Sequence, residues 1–228
     1  ENLVRAGAGA KIQDLIDFCL NNNLVGLEEF SGIPGSIGGA TYMNIHYFNH
    51  MLNDFLLEAT VISKRSGKIK VVSTEWFNFG YDISKLHQKN FYLIDATFTL
   101  KAGTQEEIKK AKKQNQETIE YRNNRYPTER TCGCFFRNFH ESEIKNKKKA
   151  TTTSIAYYFE QLGFRGNLHI GDAWISEQHS NMIVNKNEAT SKNILSVAKA
   201  MQKTVLDNYG ILPQPECQFV GFTRKPLL

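Results

Sequence analysis

The sequence predicts a two-lobe α+β protein, and three observations lead to that fold class. Segments that alternate like β-strands are interleaved with segments of helical periodicity. Glycine, serine and proline turn signals separate most of these segments. The character changes at Gly103, because residues 104–122 are polar, helix-forming and poor in turn residues. We therefore predict a first domain over residues 1–103 and a second over residues 104–228.

Local patterns predict each element of the first lobe. Alternating or strongly β-prone runs predict strands over residues 3–5, 55–64, 69–72 and 92–100. The dipeptide Ser66-Gly67 predicts a hairpin turn between the second and third of these strands. Apolar residues at helical spacing from Ile12 to Cys19 predict a helix that ends near residues 21–23. Residues 31–40 contain too many glycines and a proline for regular structure, so we predict a loop there.

The second lobe combines two helices with short strands. Helices are predicted over residues 153–162, which begin with good N-cap candidates, and over residues 191–209. Gly210 follows the second helix and suits a left-handed C-terminal cap. Short strands are predicted over residues 173–175, 181–184 and 217–221.

Composition narrows the class of protein. Hydrophobic residues make up 41% and charged residues 22%, which is ordinary for a globular domain. We find no apolar run long enough to span a bilayer and no signal segment, so we expect a cytoplasmic protein. We also expect a monomer, although the sequence does not determine the oligomeric state. The net charge is +5, and two lysine-rich runs, residues 109–113 and 145–149, carry much of it. No aromatic residues alternate with these lysines, so we expect solvated surfaces and no nucleic-acid partner.

The strongest local signal is S-G-I-P-G-S-I-G-G-A, residues 31–40. Its glycines leave bare amides and no side chains, so a phosphate or a flat ring can approach the backbone closely. The segment matches neither the P-loop nor the dinucleotide fingerprint. Spacing alone therefore leaves two interpretations open, a ligand-binding loop and a tight structural turn.

The cysteines raise a second question, because T-C-G-C-F-F-R-N places Cys132 and Cys134 on either side of a glycine. A zinc site needs about four ligands with local pairs, and Cys19 and Cys217 are isolated in sequence, so we predict no metal site. The C-x-x-C pattern of a redox pair is absent as well. We interpret Cys132 as a small buried packing residue. Cys134 differs because the following F-F-R-N run supplies a cation and an amide.

Four ordered motifs carry a resemblance to a known family: G-I-P-G-S-I-G-G-A-T-Y-M-N, G-C-F-F-R-N, H-S-N-M-I-V-N and P-Q-P-E-C-Q-F-V-G. Each is weak alone, and their order and spacing are jointly specific. The chain resembles the UDP-N-acetylenolpyruvoylglucosamine reductase family from about Val4 to Gly221. The resemblance implies the C-terminal part of a vanillyl-alcohol-oxidase-type FAD-binding domain, followed by a substrate-binding lobe.

The resemblance also implies a reaction. Members of the family reduce the enolpyruvyl ether of a UDP-sugar to UDP-N-acetylmuramate for peptidoglycan synthesis, with FAD and NADPH. We therefore expect these two cofactors and a UDP-sugar substrate as partners. The alternative that we keep open is a degenerate or truncated relative that binds the UDP-sugar without turnover.

Site residues are carried over motif by motif. Cys134 stands where the family has a proton-donating serine, and Glu216 matches the second catalytic residue in the P-E motif. Arg137, Asn138 and Arg130 are the implied substrate contacts. The implied FAD contacts are Gly32, Ile33, Pro34, Gly35, Ser36, Ile37, Gly38, Gly39, Ala40 and Asn44.

Two departures from the family pattern bear on these expectations. The family's G-x-G-S-N-type loop, which holds the FAD pyrophosphate, has no counterpart in this chain, so we expect the chain alone to bind FAD weakly. Asp82, in F-G-Y-D, stands where the family has an arginine that supports the enolate. Either another arginine (Arg137, Arg130 or Arg125) supplies that cation, or activity is reduced.

Overall fold

The computed structural model describes residues 2–128 and 130–228, which form two compact units. The units are Glu1–Arg122 and Asn123–Leu228. Both combine helices with an antiparallel sheet, so the α+β prediction is confirmed. No helix in the described ranges is long and apolar enough to cross a membrane.

The first unit is organised around a five-stranded antiparallel sheet. Its elements are β1 (Asn2–Gly7), α1 (Ile12–Asn21), β2 (Leu24–Val25), α2 (Ile37–Met43), β3 (His46–Tyr47), β4 (His50–Met51), β5 (Leu56–Ser63), β6 (Ile69–Ser73), β7 (Phe91–Ala102) and most of α3 (Gln105–Arg125), whose last three residues belong to the second unit. The sheet has the order β1-β7-β5-β6, and β2 also pairs with β7. The hairpin predicted at Ser66-Gly67 is present, because β5 and β6 pair in register from Glu58↔Ser73 to Ile62↔Ile69.

The long helix α3 begins with a capping box and packs against the core and α1 of the first unit. The Thr104 hydroxyl accepts from the Glu107 amide (3.3 Å), and the Glu107 carboxylate accepts from the Thr104 amide (2.8 Å). Ala111 is buried in the core of this unit, and Gln13 of α1 donates to Asn115 (3.0 Å). The division into compact units therefore falls after Arg122, whereas the change in composition predicted a boundary at residue 103.

The second unit packs two helices on a four-stranded antiparallel sheet. Its elements are β8 (Thr131–Cys134), α4 (Glu141–Ile144), α5 (Ile155–Gln161), β9 (His169–Ile170), β10 (Ala173–Ile175), β11 (Met182–Asn185) and α6 (Ser191–Tyr209). The strand order is β8-β11-β10-β9. The core is formed by side chains from α5, α6 and the sheet, among them Tyr158, Phe159, Val197, Met201 and Ile175. Gly210 caps α6 with φ +68°, as predicted.

Two element predictions are wrong. Residues 217–221 were expected to form a closing strand, but the backbone there is irregular, and only Pro215 makes an isolated β-bridge, to Phe136. A β-prone run becomes a strand only where a second strand offers a continuous ladder. Residues 31–40 were expected to contain no regular structure, but their last four residues begin α2.

Candidate active site

The glycine-rich segment of the first unit ends in a short helix, α2. The start of this helix is stabilised both by a side-chain cap and by hydrogen bonds to a neighbouring segment of the chain. Ser36 is the N-cap of α2, and its hydroxyl accepts from the Gly39 amide (3.3 Å). The amides of Ile37 and Gly38 donate to the carbonyls of Ala10 (2.9 Å) and Ala8 (2.8 Å). A Cβ on Gly38 would lie 3.1 Å from the Ala8 oxygen, so this glycine allows the close approach of the two segments.

The predicted FAD contacts include both buried and solvent-exposed residues. Ile37 and Ala40 are buried in the core, so only their backbone atoms can serve a ligand. Pro34, Gly35 and Gly39 are exposed, and Gly39 has only the Ser36 hydroxyl near the place that a Cβ would take (3.7 Å). Bare, exposed backbone of this kind fits a flat ring or a phosphate, so the residues present are compatible with FAD.

Two of the predicted FAD contacts have structural roles. Gly32 adopts φ +73°, and a Cβ there would lie 3.3 Å from the Ile119 backbone, so its small size lets the segment pack on α3. Asn44 is buried, adopts φ +49°, and its amide donates to the Gly80 carbonyl (3.1 Å). Its side-chain oxygen accepts from the Asn53 amide (3.1 Å). Asn44 therefore ties the end of α2 to the F-G-Y-D segment.

Asp82 lies in a tight turn and is paired with a histidine. Its φ is +56°, and Gly80 and Ile83 form a β-bridge across the turn. Its Oδ1 lies 3.2 Å from Nδ1 of His46, and the Tyr81 ring lies against the His46 ring, with 4.2 Å between the centroids. The Asp82 side chain is only 18% exposed, so it does not point into solvent. Sequence reasoning missed His46, because no local signal links positions so far apart in the chain.

In the second unit, Cys134 is the last residue of β8. It is half-buried and pairs with Met182 of β11. Gly133 before it has φ +81°, which glycine adopts readily and other residues do not. The four cysteines lie among the described residues, and they are thiols and not disulfides.

Asn181 holds the chain that follows Cys134. It is buried, its side-chain amide donates to the Phe136 carbonyl (2.7 Å), and its side-chain oxygen accepts from the Phe136 amide (3.1 Å). Its own carbonyl accepts from the Phe135 amide (2.8 Å). Sequence reasoning noted the motif that contains Asn181 but gave the residue no role. A buried asparagine beside a strand is the signal that it overlooked, because buried amides need partners.

Glu216 lies on a segment that runs beside the one after Cys134. Its amide donates to the Phe135 carbonyl (2.9 Å), and the Arg137 amide donates to the Gln214 carbonyl (3.0 Å). Pro215 and Phe136 form the β-bridge between these two bonds. The structure therefore brings the neighbourhoods of Cys134 and Glu216 together, although more than eighty residues separate them in sequence.

The three predicted substrate contacts are engaged within the second unit. Arg137 donates two bonds to Glu143 (2.8 and 2.9 Å), which raises the pKa of Arg137 and lowers the pKa of Glu143. The side-chain oxygen of Asn138 accepts from the Ile155 amide (3.1 Å) at the start of α5. Arg130 donates to the carbonyls of Lys186 (3.4 Å) and Asn187 (3.2 Å). Their substrate-binding roles remain predictions.

The interpretation of Cys132 as a buried packing residue is wrong. Cys132 is exposed, and an interaction with the Cys217 side chain lowers the pKa of its thiol. Cys217, which looked isolated in the sequence, lies directly after Glu216 and is half-buried. The partner was hidden because the contact joins distant positions in the chain.

Two protein families match this chain. Residues 125–220 match the C-terminal domain of UDP-N-acetylenolpyruvoylglucosamine reductase, and residues 1–73 match an FAD binding domain. The UDP-N-acetylenolpyruvoylglucosamine reductase of Lachnoclostridium phytofermentans is 31% identical over 225 residues, which are 98% of this chain and 67% of that protein. The reductase of Caldicellulosiruptor saccharolyticus is 30% identical over 100% of this chain and 69% of its own.

A solved structure agrees with these matches. The crystal structure of the reductase from Thermus caldophilus superposes with a TM-score of 0.76 at 26% identity. It covers 94% of this chain, which in turn covers 71% of the crystallised chain. The chain thus spans about two thirds of the length of the relatives that it matches.

Proposed function

The chain belongs to the UDP-N-acetylenolpyruvoylglucosamine reductase family, and from that membership we propose that it acts as an NADPH-dependent flavoenzyme. The proposed substrate is UDP-N-acetyl-3-O-(1-carboxyvinyl)-glucosamine, and the proposed product is UDP-N-acetylmuramate, a precursor of peptidoglycan. One observation carries the proposal. The hydrogen bond from the Glu216 amide to the Phe135 carbonyl places Cys134 and Glu216 on adjoining backbone segments.

The proposed chemistry assigns one proton to this chain. When bound and reduced by NADPH, FAD would supply the hydride that reduces the methylene carbon of the enolpyruvyl group. The carbon next to the carboxylate then needs a proton, and the thiol of Cys134 is the proposed donor. A thiol, with an ordinary pKa of about 8.5, is a far stronger acid than a serine hydroxyl, so cysteine can serve where the family has serine. Glu216 is the second proposed catalytic group, a carboxylate that can hold a proton.

The proposal also gives roles to several other residues. Asn181 fixes the backbone of Phe136, and the β-bridge to Pro215 orients the P-E segment. The exposed backbone at Gly35 and Gly39 is the proposed contact surface for FAD.

A second candidate function is binding of the UDP-sugar without turnover, and Asp82 favours it. The resemblance places an enolate-supporting arginine at this position, whereas the structure has a carboxylate paired with His46. Arg137 is a poor replacement, because Glu143 already compensates its charge.

The test separates the two half-reactions. The parent chain and the variants Cys134→Ser and Cys134→Ala are saturated with FAD and mixed anaerobically with NADPH, and flavin reduction is followed by absorbance. Substrate is then added, and UDP-N-acetylmuramate is measured by mass spectrometry. We expect all three proteins to reduce flavin, the serine variant to keep substantial turnover, and the alanine variant to lose it.

Two results would count against the proposal. Full turnover by the Cys134→Ala variant would remove Cys134 from the chemistry. Calorimetric binding of the UDP-sugar by the FAD-saturated parent, without any product, would favour the binding function instead.

A further inference from the structure

The fold gathers positive charge around the hairpin turn between β5 and β6. The Lys64 amide, at the start of this turn, donates to the Asn90 carbonyl (2.9 Å), which brings the segment before β7 to the base of the turn. Residues 63–92 contain six lysine and arginine residues and two acidic residues, so with neutral histidine their net charge is +4. The six cations, which we call the basic hairpin surface, are Lys64, Arg65, Lys68, Lys70, Lys85 and Lys89.

The cations of the basic hairpin surface are not neutralised by neighbouring carboxylates. Within residues 2–128 and 130–228, none of the six forms an ion pair, whereas Lys101 of the same unit pairs with Glu107 (2.6 Å). Of the two acidic residues in this region, Asp82 is paired with His46, and only Glu75 is exposed. The positive field of the surface therefore extends into solvent, where an anionic partner can meet it.

An aromatic side chain holds two of these cations in place. The Lys70 Nζ lies 4.8 Å from the centroid of the Trp76 ring, and the Lys85 Nζ lies 4.7 Å from it. The Lys70 Nζ is also 5.0 Å from the centroid of the Phe91 ring. Cation–π contacts of this kind orient an ammonium group but leave its charge uncompensated. Both lysines therefore keep a full positive charge for a ligand.

An exposed apolar row lies beside the same turn. Ile62 of β5 pairs with Ile69 of β6 on one side and with Tyr92 of β7 on the other, so the three side chains lie in line across the sheet. Val61 is fully buried in the core, so this row lies on the opposite face. Ile69 is 62% exposed and Tyr92 is 56% exposed. Adjacent exposed apolar side chains that are bordered by charges are typical of an interaction surface.

We propose that the basic hairpin surface and the apolar row together dock the first unit on an anionic lipid bilayer. The headgroups neutralise the cations, and the row of Ile69, Ile62 and Tyr92 enters the boundary between headgroups and acyl chains. Tyrosine suits that boundary because it is apolar along the ring and polar at its tip. A nucleic acid would use the charges but leave the aliphatic side chains in water, so the combination favours the bilayer. The proposal does not depend on catalytic activity.

The experiment measures sedimentation of the full chain with lipid vesicles. One set of vesicles contains phosphatidylcholine alone, and the other contains equal parts of phosphatidylcholine and anionic phosphatidylglycerol. We expect the protein to sediment with the anionic vesicles and to stay in solution with the neutral ones. Raising sodium chloride from about 50 mM to about 500 mM should release it, because salt screens the charges. Equal binding to both kinds of vesicle, or binding to neither, would overturn the proposal.

Matched variants assign the binding to this surface. Arg65→Gln combined with Lys68→Gln should weaken partitioning by roughly 30-fold, because each cation near an anionic surface contributes about a fivefold factor. Lys109→Gln combined with Lys112→Gln removes the same charge from α3 and should change it by less than about twofold. An equal loss in both double variants would overturn the proposal. Thermal unfolding checks that each variant is folded.

The apolar row and the alternative partners are tested separately. Ile69→Thr keeps a β-branched side chain in the strand and should weaken vesicle binding by roughly threefold to tenfold. Parent-like binding of this variant would remove the row from the interface and overturn the proposal. Tight binding of labelled single-stranded RNA without vesicle binding would assign the surface to nucleic acid instead. Release from vesicles by sodium phosphate beyond that by sodium chloride at equal ionic strength would indicate a discrete phosphate site and also count against docking.

Discussion

The glycine-rich segment of the first unit and the Cys134 segment of the second are both held by hydrogen bonds to a neighbouring piece of chain, but from different groups. In the first, the amides of Ile37 and Gly38 donate to backbone carbonyls, and the absence of a side chain on glycine lets the two chain segments approach closely. In the second, the side chain of Asn181 fixes Phe136. The first segment is therefore sensitive to a Cβ added at Gly38, and the second to the loss of the Asn181 side chain.

The prediction with the largest expected effect tests whether Glu216 takes part in catalysis. Glu216→Gln should lower the catalytic rate by about 100-fold to 10,000-fold with little change in substrate affinity, because it removes a proton-holding carboxylate. Steady-state kinetics measure both quantities. The exposed Glu188→Gln is the control and should behave like the parent. Equal rates for Glu216→Gln and the parent would make Glu216 an ordinary residue of a proline-bounded turn.

The second prediction concerns Asn181, whose side chain holds the segment that follows Cys134. Asn181→Ala leaves the buried amide and carbonyl of Phe136 without partners, and each such group costs roughly 1–3 kcal/mol. We expect the free energy of unfolding to fall by about 3 kcal/mol in urea titrations. Asn187→Ala removes an exposed asparagine of the same unit and should change it by less than about 0.5 kcal/mol. A parent-like Asn181→Ala would show that water or a shifted neighbour satisfies Phe136.

The third prediction compares two adjacent glycines of α2. Gly38→Ala should destabilise the protein by about 1–2 kcal/mol, because its Cβ would lie 3.1 Å from the Ala8 oxygen. Gly39→Ala should stabilise it by roughly 0.5–1 kcal/mol, because alanine is the better helix former and its Cβ meets no close atom. Thermal unfolding of the two variants distinguishes these outcomes.

The same pair of variants tests the proposed FAD surface. Gly39→Ala should weaken FAD binding in fluorescence titrations although it stabilises the fold, because the added methyl group lies on the exposed face. Unchanged FAD affinity in this variant would favour the interpretation of the glycine-rich segment as a tight structural turn.

The fourth prediction concerns the charge at Asp82. Asparagine tolerates the positive φ of this position, so Asp82→Asn should fold normally while it removes the carboxylate charge. If that charge opposes the developing enolate, the catalytic rate should rise by up to about tenfold. Asp95→Asn, which removes a carboxylate paired with Arg5, is the control. A lower rate in Asp82→Asn would mean that the Asp82–His46 pair assists the reaction.

The smallest expected effect concerns the Arg137–Glu143 pair. Because Arg137 lowers the pKa of Glu143, the pair stabilises the fold above the carboxyl's unfolded pKa of about 4.3, and this contribution is lost as the pH falls through the lower folded value. Glu143→Gln should cost about 0.5–1 kcal/mol at neutral pH and nothing in strong acid. Urea titrations at both pH values measure the difference. A loss that persists in acid would assign the effect to packing and not to charge.

The sequence was sufficient where short-range rules decide the structure. The hairpin at Ser66-Gly67 and the end of α6 at Gly210 were predicted correctly, because both depend on residues a few positions apart. The family resemblance predicted Cys134 and Glu216 as catalytic residues, because ordered motifs can be recognised without any knowledge of contacts, and these roles remain predictions. The position of α2 was missed because its first turn depends on the carbonyls of Ala8 and Ala10.

What the sequence determined by itself is therefore the α+β class, most of the long elements and the family. Only the tertiary structure decided which distant residues meet, such as Asp82 with His46 and Asn181 with Phe136. The physical reason is that propensity and periodicity act over one or two turns of chain. A hydrogen bond or an ion pair between residues far apart exists only after the sheets and helices have brought their backbones together.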